Sequence, residues 1–514
     1  LERVILAEAK PRIIRLRNED NVALAISKLD QGTEIDELNL TTGQEIPSGH
    51  KLAVKQIKKG EPITKYGQVI GFAAEDIQPG FHVHTHNVEV KAFERDYAFG
   101  SETRETEFLP EEKRATFQGY LRPDGQVGTR NYLGVLATVN CSAGVSHLLR
   151  SAISKEELAN FPNVDGIVAL GHGSGCCLPP DSEALAQLRR TIAGFARHPN
   201  FAGVLLVGLG CEVNLVDTLV EKEELLTGPR LRTLNIQDLG GTGKTVEKGT
   251  ELLREMLVQA NQQKRTTQPA SMLKVGLECG GSDAYSGLTA NPSLGAAMDI
   301  LVKSGGTAIL SETPEIYGAE HLLTRRAVSR EVGEKLVERI RWWEEYTAQN
   351  GAQINNNPTP GNKAGGITTI LEKSLGAVAK GGSTNLVDVL RYAEPVTQKG
   401  FVFMDTPGYD VVSITGMAAG GANLICFTTG RGTVYGCEAV PTLKLASNSD
   451  IYNRLADDMD VNCGTILEGK TTIPEKGKDL FELILKTASG KQTKNEKWGF
   501  TGHDMVPWHL GAVL

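Results

Sequence analysis

Three imidazoles alternate in the stretch GFHVHTHN, residues 80–87: His82, His84 and His86. Side chains two residues apart share one face of an extended strand. The spacing would therefore turn three nitrogen donors toward one divalent cation, or supply an acid and a base. The competing reading is a polar strand face that happens to hold histidine. A second chemistry is written in cysteine. Cys141 follows YLGVLATVN, Cys176 follows DGIVALGHGSG, Cys211 follows GVLLVGLG and Cys279 follows KVGLE, at intervals of 35, 35 and 68 residues. One strand–helix–strand step takes about 30 residues or more. Thiols thus recur at the carboxyl ends of successive strands, with one unit, LRTLNIQDLGG, lacking one. Cys141, Cys176 or its neighbour Cys177, and Cys211 could hold an iron–sulfur cluster through three thiolates, with one iron left open. Alternatively they are small buried hydrophobes. No CxxC pair points to zinc.

Glycine-rich turns follow the same strands: GHGSGCC, GLGCE, ECGGSDAYSG and TTGRGTVYG. Glycine permits tight turns and close backbone approach to a ligand, and free N–H groups at a following helix start favour anions. The acidic groups on these turns are Glu212, Glu278 and Asp283; the basic one is Arg431. GGTGKT, 240–245, resembles part of a phosphate loop, but the first glycine of that pattern is replaced by Asp238, so a plain helix-start turn explains it. The segment 357–383 combines rigid turns with Lys363, Lys373 and Lys380. Lys363, between prolines and glycines, could reach a carboxylate; Lys373 and Lys380 read as solvated surface lysines.

Positioning such groups requires a parallel sheet. YLGVLATV, VDGIVALG, AGVLLVGLG, LRTLNI, LKVGLE, GTAILSE, GFVFMDTPG and ANLICFTTG read as buried parallel strands, with helices near 182–196, 243–262 and 327–348. In open α/β sheets ligands bind outside the carboxyl ends of the strands. Residues 12–90 instead read as short β segments punctuated by DQGTE, PSGHK, KKGEP and QPG. The expected fold is α/β: a small β domain over 1–90, a charged linker over 91–117, a Rossmann-like α/β unit over 118–389 and a further α/β unit over 390–514. The 514 residues carry 54 basic and 62 acidic side chains, a net charge of −8, with 40% hydrophobic residues. This is no nucleic-acid footprint, and no run of about 20 apolar residues suggests a membrane span. The opening LERVILAEAK lacks signal-peptide architecture. A cytoplasmic protein is expected, with a homo-oligomer as one of its open forms.

Several segments in order, GHKLAV, KYGQVIG, DGQVGTRN, HPNFAGVLLVGLGCE, GLECGGSDAYSGLTANPSLG, NPTPGNKAGGITT and FTTGRGTVYG, resemble the altronate and galactarate dehydratases, and the β segment resembles their SAF domain. HVHTHN is similar to the altronate branch, whereas Val434 departs from the family's usual proline. The resemblance implies loss of water from a six-carbon sugar acid, a small anionic substrate, with a divalent metal, Fe²⁺ or else Mn²⁺. Dehydration takes a proton from C2 beside a carboxylate and hydroxide from C3, so the dianionic intermediate needs cationic stabilisation. The chain offers His82, His84 and His86 as metal ligands, with His84 and His86 also as acid and base. Lys363 could add charge or act as base. Arg431 could clamp the carboxylate through two hydrogen bonds. Ser282, Asp283, Asn291 and Thr429 could contact the substrate, and Glu212 and Glu278 the metal. Other readings are an iron–sulfur lyase and a noncatalytic sugar-acid-binding protein.

Overall fold

The computed structural model describes residues 13–91, 95–499 and 505–511; the LERVILAEAK stretch lies outside them. In the β domain, alternating apolar residues form short strands whose buried faces hold Leu52, Ile57, Ile63, Ile70 and Val83. Strands β1 (Ile13–Ile14), β2 (Val22–Ala25), β3 (Lys51–Ala53) and β4 (His82–Val83) form an antiparallel sheet in that order. The glycine of each punctuating turn, Gly32, Gly49, Gly60 and Gly80, sits at φ between +79° and +83°, a conformation other residues adopt at a cost.

The α/β region contains two parallel sheets. The first orders β5 (Tyr132–Ala137), β6 (Gly166–Leu170), β7 (Phe201–Gly208) and β8 (Leu231–Asn235) as β6-β5-β7-β8. The second has seven strands: β9 (Lys274–Cys279), β10 (Thr307–Leu310), β11 (Leu386–Leu390), β12 (Gly400–Met404), β13 (Leu424–Thr429), β14 (Thr442–Ala446) and β15 (Val461–Asn462), ordered β11-β12-β10-β9-β13-β14-β15. Each of the eight apolar runs read from the sequence is one of these strands, and the three helices form at Glu183–Ala196, Thr242–Ala260 and Arg330–Gln349. GGTGKT is the start of the second of these, with Gly241 as its N-cap.

Two boundaries differ from the sequence reading. A division at 389/390 would cut β11, an edge strand of the seven-stranded sheet; the sheets themselves part between 261 and 273. The pattern alone could not show that strands on both sides of residue 350 share hydrogen bonds. The segment 91–117 is not a free tether. Gly100 donates to the Thr324 carbonyl (3.0 Å) and Leu109 to that of Lys303 (2.8 Å), Arg95 pairs with Glu320, and from Thr116 the chain enters a strand paired with 266–269. One apolar core, including Leu136, Leu206, Ile309, Met404 and Phe427, joins the two α/β sheets.

Candidate active site at the carboxyl edge

In the seven-stranded sheet the chain steps from β9 to β10, then β11 and β12, and later crosses back to β13 on the other side of β9. The switch point lies at β9/β13, where a crevice opens outside the strand ends. Gly280–Ser286 follow β9, and Gly430 and Arg431 follow β13. The Arg431 and Gly430 N–H groups both donate to the Gly281 carbonyl (2.9 and 3.1 Å). A short helix, Pro360–Ala364, closes over this edge. Thr359 caps it, Pro360 starts it, and Asn362 donates to the Ser282 carbonyl at 2.8 Å. Lys363 lies on this helix, partly buried. Neither its ammonium nor the exposed Arg431 guanidinium makes an ion pair or side-chain hydrogen bond among the described residues. Lys363 and Arg431 are thus two uncommitted basic side chains on the elements of this edge, in a protein of net charge −8, and can supply the local positive field that a small anion needs.

The β domain is seated on this helix from the same chain. His50 approaches the Ala364 carbonyl through Nε2 (3.4 Å), and His84 Nδ1 lies 3.2 Å from Thr368 Oγ1. Beneath them, Glu372 receives Lys51 Nζ (2.8 Å) and Lys65 Nζ (2.9 Å), all three within 4% of complete burial. Burial alone would raise Glu372, but Lys51 and Lys65 outweigh it and hold the carboxyl at about 2. Lys51 also donates to the Gly366 carbonyl at 2.7 Å. Gly366, at φ +96°, lies so near the Gly49 carbonyl that a Cβ there would collide with it.

The imidazoles meet in a different grouping from the one the spacing suggests. Strand β4 ends at Val83, and His84–Asn87 form a turn closed by Asn87 N–H to the His84 carbonyl (3.0 Å). His82 and His84 keep their rings 5.4 Å apart, whereas His86 is exposed, 5.3 Å from His82 and outside the donor set. The third member is His50, which precedes β3; that strand pairs with β4 through Leu52↔His82. Donor nitrogens of His50, His82 and His84 all lie within 4.8 Å of one another, and His50 Nδ1 is 3.0 Å from His82 Nε2. Burial first, then neighbouring cationic groups, pushes His82 and His84 down to about 3, and burial lowers His50. They are neutral imidazoles, the form that binds metal. Thr368 and the Ala364 carbonyl engage the other nitrogens of His84 and His50, as second partners of metal-binding imidazoles do. Three nitrogen donors with further positions open fit a divalent first-row cation.

Other predicted site residues serve the scaffold. Glu212 is buried and accepts from Thr138 Oγ1 (3.0 Å), Leu209 N–H (3.1 Å) and Gly210 N–H (2.6 Å), holding its own turn rather than a metal. Asp283 is saturated by Ser286, Tyr285, Ser447 and Asn448 and brackets the loops after β9 and β14. Thr429 is buried and accepts from Gly432 N–H (2.9 Å). Ser282 meets the site through its carbonyl. Asn291 is buried, donating to the Gly376 carbonyl (2.9 Å); its Oδ1 has no partner in a small cavity shared with Lys65, Asp283 and Glu372.

Glu278 lies fully buried under the edge, away from the imidazole set. Burial first, then Glu312, raises its carboxyl well above the usual range, so it keeps its proton. Lys380 pairs with Glu312 (2.8 Å) and Lys373 with Glu315 (2.6 Å). These lysines are buried counter-ions, not solvated surface groups; Glu278, Glu312 and Asp410 also bring carboxylate oxygens within 4.8 Å of one another, a second grouping that could hold a cation. Asp410 joins the group and is pushed up to about 7, first by burial, then by Glu312 and Glu315. A carboxyl raised on folding stabilises the native state below its unfolded value, and that contribution is lost as pH rises through 7. Stability is therefore expected to fall by up to about 1.4 kcal/mol per pH unit between pH 4 and 7 from this group. Urea titrations at pH 5 and 7.5 check this: Asp410→Asn should narrow the difference, and an unchanged difference would contradict it.

The imidazole set contacts the Pro360–Ala364 helix that carries Lys363, and that helix is bonded to the loop after β9, whose Gly281 carbonyl accepts from Arg431: a β domain set against the switch-point edge of an α/β region. Sequence comparison agrees with that division. Residues 11–91 match the altronate/galactarate dehydratase SAF domain, 119–261 the second domain of D-galactarate dehydratase/altronate hydrolase, and 270–513 the C-terminal domain of D-galactarate/altronate dehydratase. The chain belongs to the galactarate/altronate dehydratase family of hydro-lyases. It is 39% identical to galactarate dehydratase (L-threo-forming) of Escherichia coli K12, covering 95% of this chain and 94% of that one. It is 37% identical to altronate dehydratase of the same organism (98% and 99%) and 36% identical to altronate dehydratase of Bacillus subtilis 168 (95% and 97%). Among the described residues no helix is long and apolar enough to cross a membrane.

Proposed function

We propose that this enzyme dehydrates D-altronate to 2-dehydro-3-deoxy-D-gluconate and water, with a divalent metal, Fe²⁺ by preference or Mn²⁺, held by His50, His82 and His84. The reading is carried by the convergence of that imidazole set with the uncommitted Arg431 and Lys363 on one edge. Altronate is favoured over galactarate because two of the three imidazoles come from HVHTHN, the stretch similar to the altronate branch. A bound cation would supply Lewis-acid stabilisation of the carboxylate as charge accumulates on it. Arg431 grips the same carboxylate through parallel N–H groups. Lys363, entering the step as the neutral amine, takes the C2 proton and becomes the ammonium, and a protonated His86, outside the donor set, gives its proton to the C3 hydroxyl, which leaves as water. The enol so formed tautomerises to the 2-keto acid.

Anaerobic assay with altronate, galactarate and related sugar acids, combined with metal analysis, tests this. Turnover of galactarate but not altronate would overturn the substrate assignment, and tight binding without turnover the catalytic one. Arg431→Ala is expected to lower kcat/KM about 10- to 100-fold, the loss of a charge-assisted hydrogen bond worth about 1.5–3 kcal/mol, with metal content unchanged. A variant with wild-type KM and kcat would remove Arg431 from the carboxylate.

A further inference from the structure

We infer that Cys141, Cys176 and Cys211 form a three-thiolate site for an iron–sulfur cluster at the carboxyl edge of the four-stranded sheet, separate from the imidazole set. Topology is the first ground. The chain passes from β5 to β6 on one side, then crosses to β7 on the other, so the switch point of this sheet lies at β5/β7. Cys141 follows β5, Cys176 and its neighbour Cys177 follow β6, and Cys211 follows β7. Register is the second. Ala137 of β5 pairs with Val207 of β7, and Cys141 and Cys211 each lie four residues beyond that pair. The loop carrying Cys176 is tied to both neighbours. Asn140 N–H donates to the Ser174 carbonyl (2.9 Å), and Val213 N–H to that of Cys176 itself (3.1 Å). Asn214 binds the Gly175 carbonyl through its backbone (3.3 Å) and that of Thr138 through its side chain (3.0 Å). Glu212, with its backbone and Thr138 partners, locks the Cys211 turn from below.

Exposure separates these thiols from ordinary packing cysteines. Cys279, Cys426 and Cys463 are buried, whereas Cys141, Cys176, Cys177 and Cys211 are all exposed, with no disulfide among them. The Cys176 thiol is pushed up by its neighbour Cys177 first, and also by Cys141 and Cys211. The sulfurs thus lie within electrostatic reach, and a polycationic centre would relieve their mutual repulsion as thiolates. Their spread favours a cluster over one ion. Sulfurs around one zinc, each about 2.3 Å from it, lie within about 4 Å of each other, inside the 4.8 Å that defines a compact donor group. The compact donor groups among the described residues include none of these thiols. Inorganic sulfide fills that gap, and three protein thiolates leave one iron open to a water or hydroxyl oxygen.

The test is anaerobic reconstitution of the full chain with ferrous iron and sulfide. About four acid-labile sulfide per chain, with about four iron beyond any held by the imidazole set and broad visible absorbance that bleaches in air, is the expected result. Cys141→Ser, Cys176→Ser and Cys211→Ser should each remove most of the sulfide and colour while melting as the parent does. Cys177→Ser should keep both, and so should His82→Ala with His84→Ala, which lies on the other sheet edge. Iron bound without sulfide, stoichiometric zinc, no metal, or a cluster indifferent to the three serine variants would overturn the assignment. Loss of colour in Cys177→Ser but not Cys176→Ser would move the third ligand and overturn it as stated.

Discussion

His50→Ala is expected to strip the enzyme of its tightly held divalent metal and to cut kcat/KM about a thousandfold, the equivalent of about 4 kcal/mol of transition-state stabilisation. His50 and His82 stand 3.0 Å apart across the β3–β4 pairing, and two remaining imidazoles hold a cation far less well than three. Cutting back one imidazole that bonds only one backbone carbonyl across the domains should leave folding nearly intact, so circular dichroism and the melting midpoint should change little. His86→Ala is the control. It should retain the metal and lose kcat alone, because His86 lies outside the donor set. Metal content by elemental analysis decides the matter: a His50→Ala enzyme that binds its metal as the parent does would remove this residue from the centre.

Glu372→Gln is expected to destabilise the protein by about 3–5 kcal/mol, because it leaves Lys51 and Lys65 buried without their shared counter-charge. Lys51 is 0% and Glu372 2% exposed, so water cannot substitute for the lost carboxylate. Activity should fall with stability, since the same contact seats the imidazole strands on the Ile370–Val378 helix, which follows Pro360–Ala364. The carboxyl is held down at about 2, so the bridge contributes fully above the ordinary glutamate range. It is lost as pH falls from about 4.3 toward 2. Chemical denaturation at pH 7 and pH 3 measures both effects. Parent and Glu372→Gln should differ at pH 7 and converge as the pH is lowered, whereas a constant gap would show that the bridge is not the cause.

Eight of the eleven parallel strands and the three long helices were legible because an apolar run of several residues between glycine turns has few alternative structures; β11, β14 and β15 were not read. Sheet membership was not legible. β11 pairs with β12, but nothing local in LVDVL says so, and the unit boundary was misplaced there. The same limit governs the site. His82 and His84 were visible as a motif, while His50 is alone in its segment, GHKLAV, and reaches them only through antiparallel pairing. Lys373 and Lys380 were misread because a lysine beside glycines looks solvated until the buried carboxylates facing it, some 60 residues away, are known. Arg431, with its cluster of glycines, kept the position its sequence suggested. Thr429 and Asp283 hold the loops around it.

The imidazoles ride on one body and the cations on another, joined by a glycine-on-glycine seam at Gly49 and Gly366. Turnover is therefore a reporter of how the two bodies sit together. Under gentle heating or dilute denaturant, activity should vanish at milder conditions than helical ellipticity, the parts drifting out of alignment before either melts.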